Sequence, residues 1–185
     1  MDEEKDFKLS NNKQEKTILV GPSGSGKDFL LRGLIKMNLR YFPKFTTRPK
    51  RELEVDGVEY NFIDDQTFNS LLNDKLIKVY QSFNIKDQVW HYGITKENFD
   101  NNQLFIMTPF EINQISEEEL KECFVVYLDI DINIRRKRLK NRNDNNDSIE
   151  RRLQADLDDF KNFNKYDLKL TDPEFEPDWV YDLIN

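Results

Sequence analysis

The chain has 185 residues with one cysteine, and its 28 Lys and Arg against 35 Asp and Glu give a formal net charge of −7. This length suits a single domain that can bury a substantial core. The negative balance gives no general support for binding a nucleic-acid backbone, and one cysteine excludes an internal disulfide or a cysteine-rich metal site.

The N-terminal segment is polar. Residues 1–15 alternate charges and Asn with few apolar anchors, which predicts a mobile tail ahead of one domain at 16–185. No segment has the apolar length of a membrane span, and the acidic N-terminus is unlike a secretory signal. Cys123 is expected to pack in the core and fits a reducing compartment. These features predict a cytoplasmic protein without membrane or nucleic-acid partners.

A glycine-rich loop at 21–28, Gly-Pro-Ser-Gly-Ser-Gly-Lys-Asp, follows an apolar, β-branched run at 17–20 and precedes apolar residues at helical spacing. In this strand-loop-helix setting, backbone N–H groups cradle phosphates, and Lys27 would reach the β- and γ-phosphates of ATP. The lysine and the setting disfavour the alternative, a glycine-rich turn that binds nothing. The predicted nucleotide-binding residues are Gly21, Ser23, Gly24, Ser25, Gly26, Lys27 and Asp28.

Asp28 is the unusual residue of this loop, because a hydroxyl residue that ligates Mg²⁺ is typical of its position. Magnesium accepts carboxylate oxygen directly or through water. Asp28 is therefore either a metal ligand or the mark of a decayed, weakly binding loop. We favour the metal ligand, since the rest of the loop is intact, and expect ATP and Mg²⁺ as cofactors.

The segment 41–97 differs from the chain around it. It is rich in aromatic and β-branched residues, has scattered turns, and contains Thr-Thr-Arg-Pro-Lys-Arg at 46–51. This pattern predicts a small β-rich lobe inserted between core segments at 16–40 and 98–185.

Parallel-strand character returns after this lobe. Apolar runs at 104–107 and 124–128 flank a helical stretch near 111–122, and a last strand around 168–170 precedes a short helix after Pro177. Strands that alternate with helices predict an α/β fold, a P-loop NTPase-type parallel sheet flanked by helices.

A basic helix is predicted at 132–142, followed by a polar, turn-rich run at 143–147 and a second helix. Ser148 has the character of the N-cap of that helix, but Arg151 stands where a capping box would place Glu. The flexible basic stretch between the two helices predicts a lid at 138–152.

Several blocks of the chain resemble the guanylate kinase family, and the resemblance extends over nearly everything from Thr17 onward. The blocks are 21–27, 46–51, 54–62 and the series Arg138, Arg142, Ser148, Ile149, Arg152 and Leu153. The resemblance implies an ATP-dependent kinase that phosphorylates a nucleoside monophosphate, GMP or dGMP. The expected partner is this small-molecule nucleotide, bound by a monomer or homodimer.

The resemblance assigns an acceptor-phosphate clamp to Arg48, Arg51 and Tyr60, joined by Tyr92. Guanidinium groups offer forked donors that match phosphate oxygens, and a phenol adds a neutral donor. The alternative is that these arginines are solvated surface residues.

The resemblance also assigns lid arginines, Arg138, Arg142 and Arg152, which close over the transferring phosphoryl group and act with Lys27 as catalytic residues. Phosphoryl transfer depends on this kind of positioning and charge neutralisation. The other cations of the helix are interpreted as a solvated face or as partners of acidic neighbours; they are Arg135, Arg136, Lys137 and Lys140.

The chain departs from the family at the positions that contact the base. The guanine-contacting glutamate falls near Lys78 or Val79, and a following serine falls at Ile94. The aspartate that follows the next strand falls within Thr108-Pro109-Phe110, and no acid appears before Glu111. Lys78 and Thr108 are therefore the candidate substrate-binding residues at two altered positions.

Other functions remain open at this stage. The chain is similar to ribose 1,5-bisphosphate phosphokinases in carrying Gly-Lys-Asp in the loop and no acid after that strand, so Asp28 would be a relocated carboxylate. A kinase for a different nucleotide is a second alternative, and a non-catalytic phosphopeptide-binding module is a third. His91, the sole histidine, is expected to be a structural or pocket residue, because in-line transfer needs no base from it.

Overall fold

The computed structural model describes residues 15–52, 54–85, 87–141 and 148–184. The predicted tail at 1–15, except Glu15, and the polar run at 143–147 lie outside these residues. In chain order the elements are β1 (Lys16–Val20), α1 (Lys27–Lys36), β2 (Phe45–Thr46), β3 (Asn61–Phe62), α2 (Asp65–Asn73), β4 (Ile77–Ile85), β5 (Gln88–Thr95), α3 (Lys96–Asn101), β6 (Leu104–Ile106), α4 (Pro109–Ile112), α5 (Glu117–Lys121), β7 (Cys123–Leu128), α6 (Ile132–Asn141), α7 (Ile149–Phe160), β8 (Leu168–Leu170) and α8 (Pro177–Ile184).

The central sheet is parallel, with the strand order β6-β1-β7-β8. Strand β1, one of its two inner strands, is apolar on both faces, since Ile18 belongs to one buried cluster and Leu19 to the other. Parallel strands need helices on both faces to exclude water from such runs. The predicted α/β fold, a parallel sheet flanked by helices, is confirmed.

Apolar side chains cover both faces of this sheet. On one face Leu30 and Leu34 of α1 pack with Val180 of α8 in one buried cluster. On the other face Phe99 and Ile112 belong to a second cluster. None of the described helices is long and apolar enough to cross a membrane.

A second sheet has the order β3-β2-β5-β4, and all of its strands lie within 41–97. Strand β5 is antiparallel to both neighbours, so that Tyr92 lies opposite Thr46 on one side and Gln81 on the other. This register sets the side chains of Tyr92 and Gln81 on one face of the sheet.

The helical stretch expected near 111–122 is divided into two short helices, α4 and α5. Thr108 and Glu111 form a capping box at the start of α4, and Ser116 and Glu119 form another at the start of α5. Because each box satisfies free backbone N–H groups at a helix start, the second box begins a new helix within the predicted helical stretch.

Gly33 marks a close contact between α1 and α8. A Cβ at this position would lie 2.3 Å from the Cβ of Pro177. Gly33→Ala should therefore lower the free energy of unfolding by about 1 kcal/mol or more, because overpacking outweighs the gain of about 1 kcal/mol in helix propensity. Urea denaturation checks this, with exposed Lys36→Ala on the same helix as the near-neutral control. A more stable Gly33→Ala variant would contradict the contact.

Candidate active site

The glycine-rich loop connects the end of β1 to the start of α1. Gly24 and Gly26 adopt positive φ angles of 78° and 106°, which glycine tolerates best. Lys27 is the first residue of α1, and its ammonium donates hydrogen bonds to the backbone carbonyls of Gly21 at 2.6 Å and Pro22 at 3.0 Å. The lysine therefore lies over the loop, at the positive end of the helix.

A polar cavity of about 170 Å³ opens above this loop. It brings Arg152 of α7 to the loop, although the two are far apart in sequence. A cavity with Lys27, Arg152 and the start of a helix is suited to phosphate groups. The residues lining it are Ser23, Gly24, Gly26, Lys27, Asp28, Leu139 and Arg152.

Helix α6 holds the outer side of the loop. Arg138 donates to the carbonyls of Ser25 at 3.1 Å and Pro173 at 2.9 Å. Arg135, one turn earlier, is only 4% exposed and donates to Asp156 at 3.1 Å. The proposed role of Arg138 at the phosphoryl group stays a prediction.

Two other cations of this helix pair with acidic neighbours, as expected. Arg136 pairs with Glu150 at 3.1 Å near the surface, as expected of a solvated face. Arg135 pairs with an acid but is buried, because α7 covers its side of the helix. Arg142 lies outside the described residues, and Ser148 caps α7 by accepting from the N–H of Arg151 at 3.4 Å.

The clamp residues gather on the second sheet. Arg48 is buried, and its guanidinium lies 5.3 Å from the ring centroid of Tyr60 and 5.6 Å from that of Phe62. The rings of Tyr60 and Tyr92 pack edge to face at 5.6 Å. Burial, the largest cause, raises the pKa of both tyrosines, so each keeps its phenol proton for donation.

Glu54 orients both arginines of the clamp. Its carboxylate accepts from Arg48 Nη2 at 2.7 Å and from the backbone N–H of Arg51 at 2.8 Å. The side chain of Arg51 is more exposed, 36% against 4% for Arg48. Sequence reasoning gave Glu54 no role, although an acid three residues after an arginine in a loop is a recognisable sign of such a pair.

Asp28 is the second residue of α1, directly after the lysine of the phosphate loop. It lines the phosphate cavity, and its charge adds to the burial that raises the pKa of Tyr41 and of Tyr60. No three His, Cys, Asp or Glu side chains among the described residues gather into a metal cluster. A single carboxylate oxygen donor beside a phosphate cavity suits Mg²⁺, which retains waters and takes its other ligands from phosphates.

The side chains at the altered base-contacting positions are either buried or bonded to other side chains of the protein. The ammonium of Lys78 is paired with Glu119, and Ile94 is buried. The hydroxyl of Thr108 donates to Gln81 Oε1 at 2.6 Å, which leaves the amide hydrogens of Gln81 as donors on the face that it shares with Tyr92. Sequence reasoning missed Gln81, because a single glutamine within a strand gives no sign of which side chain it will meet.

Glu111, the first acid after β6, is buried and committed to structure. It accepts from the backbone N–H of Thr108 at 2.8 Å and pairs with Lys44 at 2.5 Å. His91 lies on the other face of β5 from Tyr92, where its ring stacks on Phe68 at 5.0 Å. His91 is therefore a packing residue, one of the two roles expected for it.

Removing the charge of Glu54 should destabilise the protein. Burial raises its pKa, but hydrogen bonds from Arg48 and Arg51 outweigh burial and lower the pKa below its ordinary value. Its contribution is therefore present above the unfolded pKa of about 4.3 and is lost as the pH falls through the folded value. Glu54→Gln should lose about 3 kcal/mol at pH 7, because Arg48 keeps a buried, unpaired charge.

Denaturation of Glu54→Gln and of the exposed control Glu52→Gln, at pH 7 and in steps below pH 5, measures this contribution. The difference in the free energy of unfolding between the wild type and Glu54→Gln should become smaller toward low pH. A gap that does not change with pH would show that the carboxylate charge is not involved.

Known guanylate kinases are similar to this chain in sequence and in fold. The guanylate kinase of Rickettsia prowazekii is 30% identical over 165 residues, covering 85% of this chain and 83% of that protein. That of Rickettsia felis is 31% identical, covering 86% and 85%. The crystal structure of guanylate kinase from Anaplasma phagocytophilum has a TM-score of 0.65 at 16% identity, covering 94% of this chain and 86% of that one, and this likeness concerns the fold alone.

The sequence model of guanylate kinase matches residues 13–180 of the chain. This match takes in the glycine-rich loop, the arginine clamp and both helices that flank the predicted lid. It confirms the resemblance that the motifs suggested. The chain belongs to the guanylate kinase family.

Proposed function

We propose that this protein is an ATP-dependent nucleoside monophosphate kinase that converts GMP or dGMP to the diphosphate. The observation that carries the proposal is the cavity above the glycine-rich loop, which Lys27, Asp28 and Arg152 line together. The clamp is a second group of phosphate-binding side chains, built around Arg48 against Tyr60 and Phe62, and direct transfer requires one such group for each of two phosphates. The relatives named above are guanylate kinases, and they do not favour the sugar-kinase or binding-module alternatives.

Each part of the site has a role in this reaction. Lys27 and the loop N–H groups hold the β- and γ-phosphates of ATP, while Arg48, Arg51, Tyr60 and Tyr92 hold the acceptor phosphate. An acceptor oxygen attacks the γ-phosphorus in line as the bond to the β-phosphate oxygen breaks, which leaves ADP. Arg152, with Arg138 and Arg142 of the predicted lid, neutralises the charge of the transferring group.

Mg²⁺ neutralises and orients the donor phosphates when it is bound. Asp28 is the residue that would hold it, directly or through water.

Cys123 is unpaired and buried, and burial raises the pKa of its thiol to about 12, so the thiol stays protonated and unreactive. The lone thiol and the use of ATP support a cytoplasmic location. We propose that the protein acts as a monomer or homodimer.

The acceptor is identified by measuring ADP formation from ATP·Mg²⁺ with each ribo- and deoxynucleoside monophosphate and with ribose 1,5-bisphosphate. The proposal expects turnover with GMP or dGMP and its loss in Lys27→Ala. Turnover with ribose 1,5-bisphosphate alone would make the protein a sugar kinase. No turnover, with phosphopeptide binding retained in Lys27→Ala, would make it a binding module.

The same assay tests how the base is read. Lys78 is paired with Glu119, and Glu111 is occupied by Lys44, so we expect no described carboxylate to accept from the amino group of guanine. GMP and IMP, which lacks that group, should then differ by less than about tenfold in kcat/KM. A preference for GMP of about a thousandfold or more would show that a carboxylate reads the amino group.

The role of Asp28 is tested by a magnesium titration. Asp28→Ser keeps an oxygen ligand but removes the charge, and Asp28→Asn keeps the shape. Both should raise the Mg²⁺ concentration for half-maximal activity by about tenfold, in line with losses seen when a metal site is altered. An unchanged titration in both variants would exclude Asp28 as a metal ligand.

A further inference from the structure

Helix α7 meets the phosphate loop through two residues on one face. Arg152 lines the phosphate cavity. Asp156, one turn later, accepts from the backbone N–H of Ser23 at 3.0 Å and from its hydroxyl at 3.3 Å. Residues four apart lie on the same side of a helix, so both side chains point toward the loop.

Arg135 of α6 completes this contact. Its Nη1 donates to Asp156 at 3.1 Å and to the carbonyl of Ser23 at 3.4 Å, and its Nε donates to the carbonyl of Ile130 at 3.0 Å. Ser23 is therefore held through both its N–H and its carbonyl. Charge-assisted hydrogen bonds between partly buried groups are strong and directional, so the three residues form a rigid connection.

We infer that Asp156 is a positioning residue that fixes Arg152 and the phosphate loop relative to each other. The inference rests on the proposed kinase function, because Arg152 is the group that would touch the transferring phosphoryl group. Helix α7 is continuous over Ile149–Phe160, so a fixed contact at Asp156 fixes the start of the side chain of Arg152 about 6 Å away along the helix. Asp156 itself is not among the residues that line the phosphate cavity.

The carboxylate occupies an unfavourable environment for a charge. Burial, the largest cause, raises the pKa of Asp156, although Ser23, Arg135 and Lys27 lower it. A carboxylate exposed on the surface of α7 would avoid this desolvation cost and would stabilise the helix equally well. Helix stability therefore does not explain the position of Asp156. The exposed Asp158 of the same helix has no such contact with the loop and is the natural comparison.

Asp156→Asn tests the inference, because it keeps the shape of the side chain and removes its charge. We expect kcat to fall by about 10–100-fold, the size of effect that a small misplacement of a catalytic group produces, with the acceptor KM unchanged. Asp158→Asn should leave kcat unchanged. Arg135→Lys keeps the positive charge without the fork and should give a smaller fall, which provides a second variant if Asp156→Asn does not fold.

A double-mutant cycle distinguishes positioning from a merely structural role. At saturating ATP in the Arg152→Ala background, Asp156→Asn should change kcat by less than about twofold, because its effect on the transfer step passes through the residue already removed. The same fold-loss in both backgrounds, or a full kcat in Asp156→Asn, would overturn the inference. Melting curves of all variants report whether they are folded.

Calorimetric binding of ADP separates this inference from the proposed function. Because Asp156 also holds the loop, Asp156→Asn should weaken ADP binding by about tenfold, whereas Asp158→Asn should not. A wild type that binds ADP but transfers no phosphoryl group would refute the kinase proposal and leave this expectation standing. If the wild type transfers the phosphoryl group and Asp156→Asn binds ADP with the same affinity as the wild type, Asp156 does not hold the loop.

Discussion

The phosphate loop can bind an anion only if its N–H groups face inward, so its carbonyls must be held on the outside. Arg135 and Arg138 of α6 provide that hold, with contacts to the carbonyls of Ser23 and Ser25. The positive φ angles of Gly24 and Gly26 let the chain turn between these points. In a chain with a net charge of −7, affinity for phosphate therefore depends on local geometry, since the long-range field opposes it.

The clamp on the second sheet also presents hydrogen-bond donors to an anion, but these donors are on side chains. Burying the charge of Arg48 under Tyr60 and Phe62 would destabilise the fold without Glu54. The carboxylate of Glu54 neutralises part of that charge and leaves N–H donors of the guanidinium for a ligand. Asp28, at the end of the loop, lines the phosphate cavity together with Lys27 and Arg152. The proposed metal ligand therefore stands beside the cavity proposed to hold the donor phosphates.

The sequence was a good guide wherever a local pattern carries the information. The loop at 21–28, the buried strands and the N-cap at Ser148 follow from spacing and residue type alone, and the structure has them within a few residues. The contacts of Asp156 and Gln81 could not be predicted, because they join segments far apart in the chain through ordinary polar residues. Burial of Arg135 depends on how α7 crosses α6, which composition does not reveal.

The reaction proposed for this protein is the transfer of one phosphoryl group from ATP to a nucleoside monophosphate. ATP labelled with ³²P at the γ-position, incubated with Mg²⁺, GMP and the protein, tests it directly. We expect the label at the β-position of GDP, with one ADP formed for each GDP. Label released only as inorganic phosphate, or retained in ATP with every monophosphate supplied, would contradict the claim.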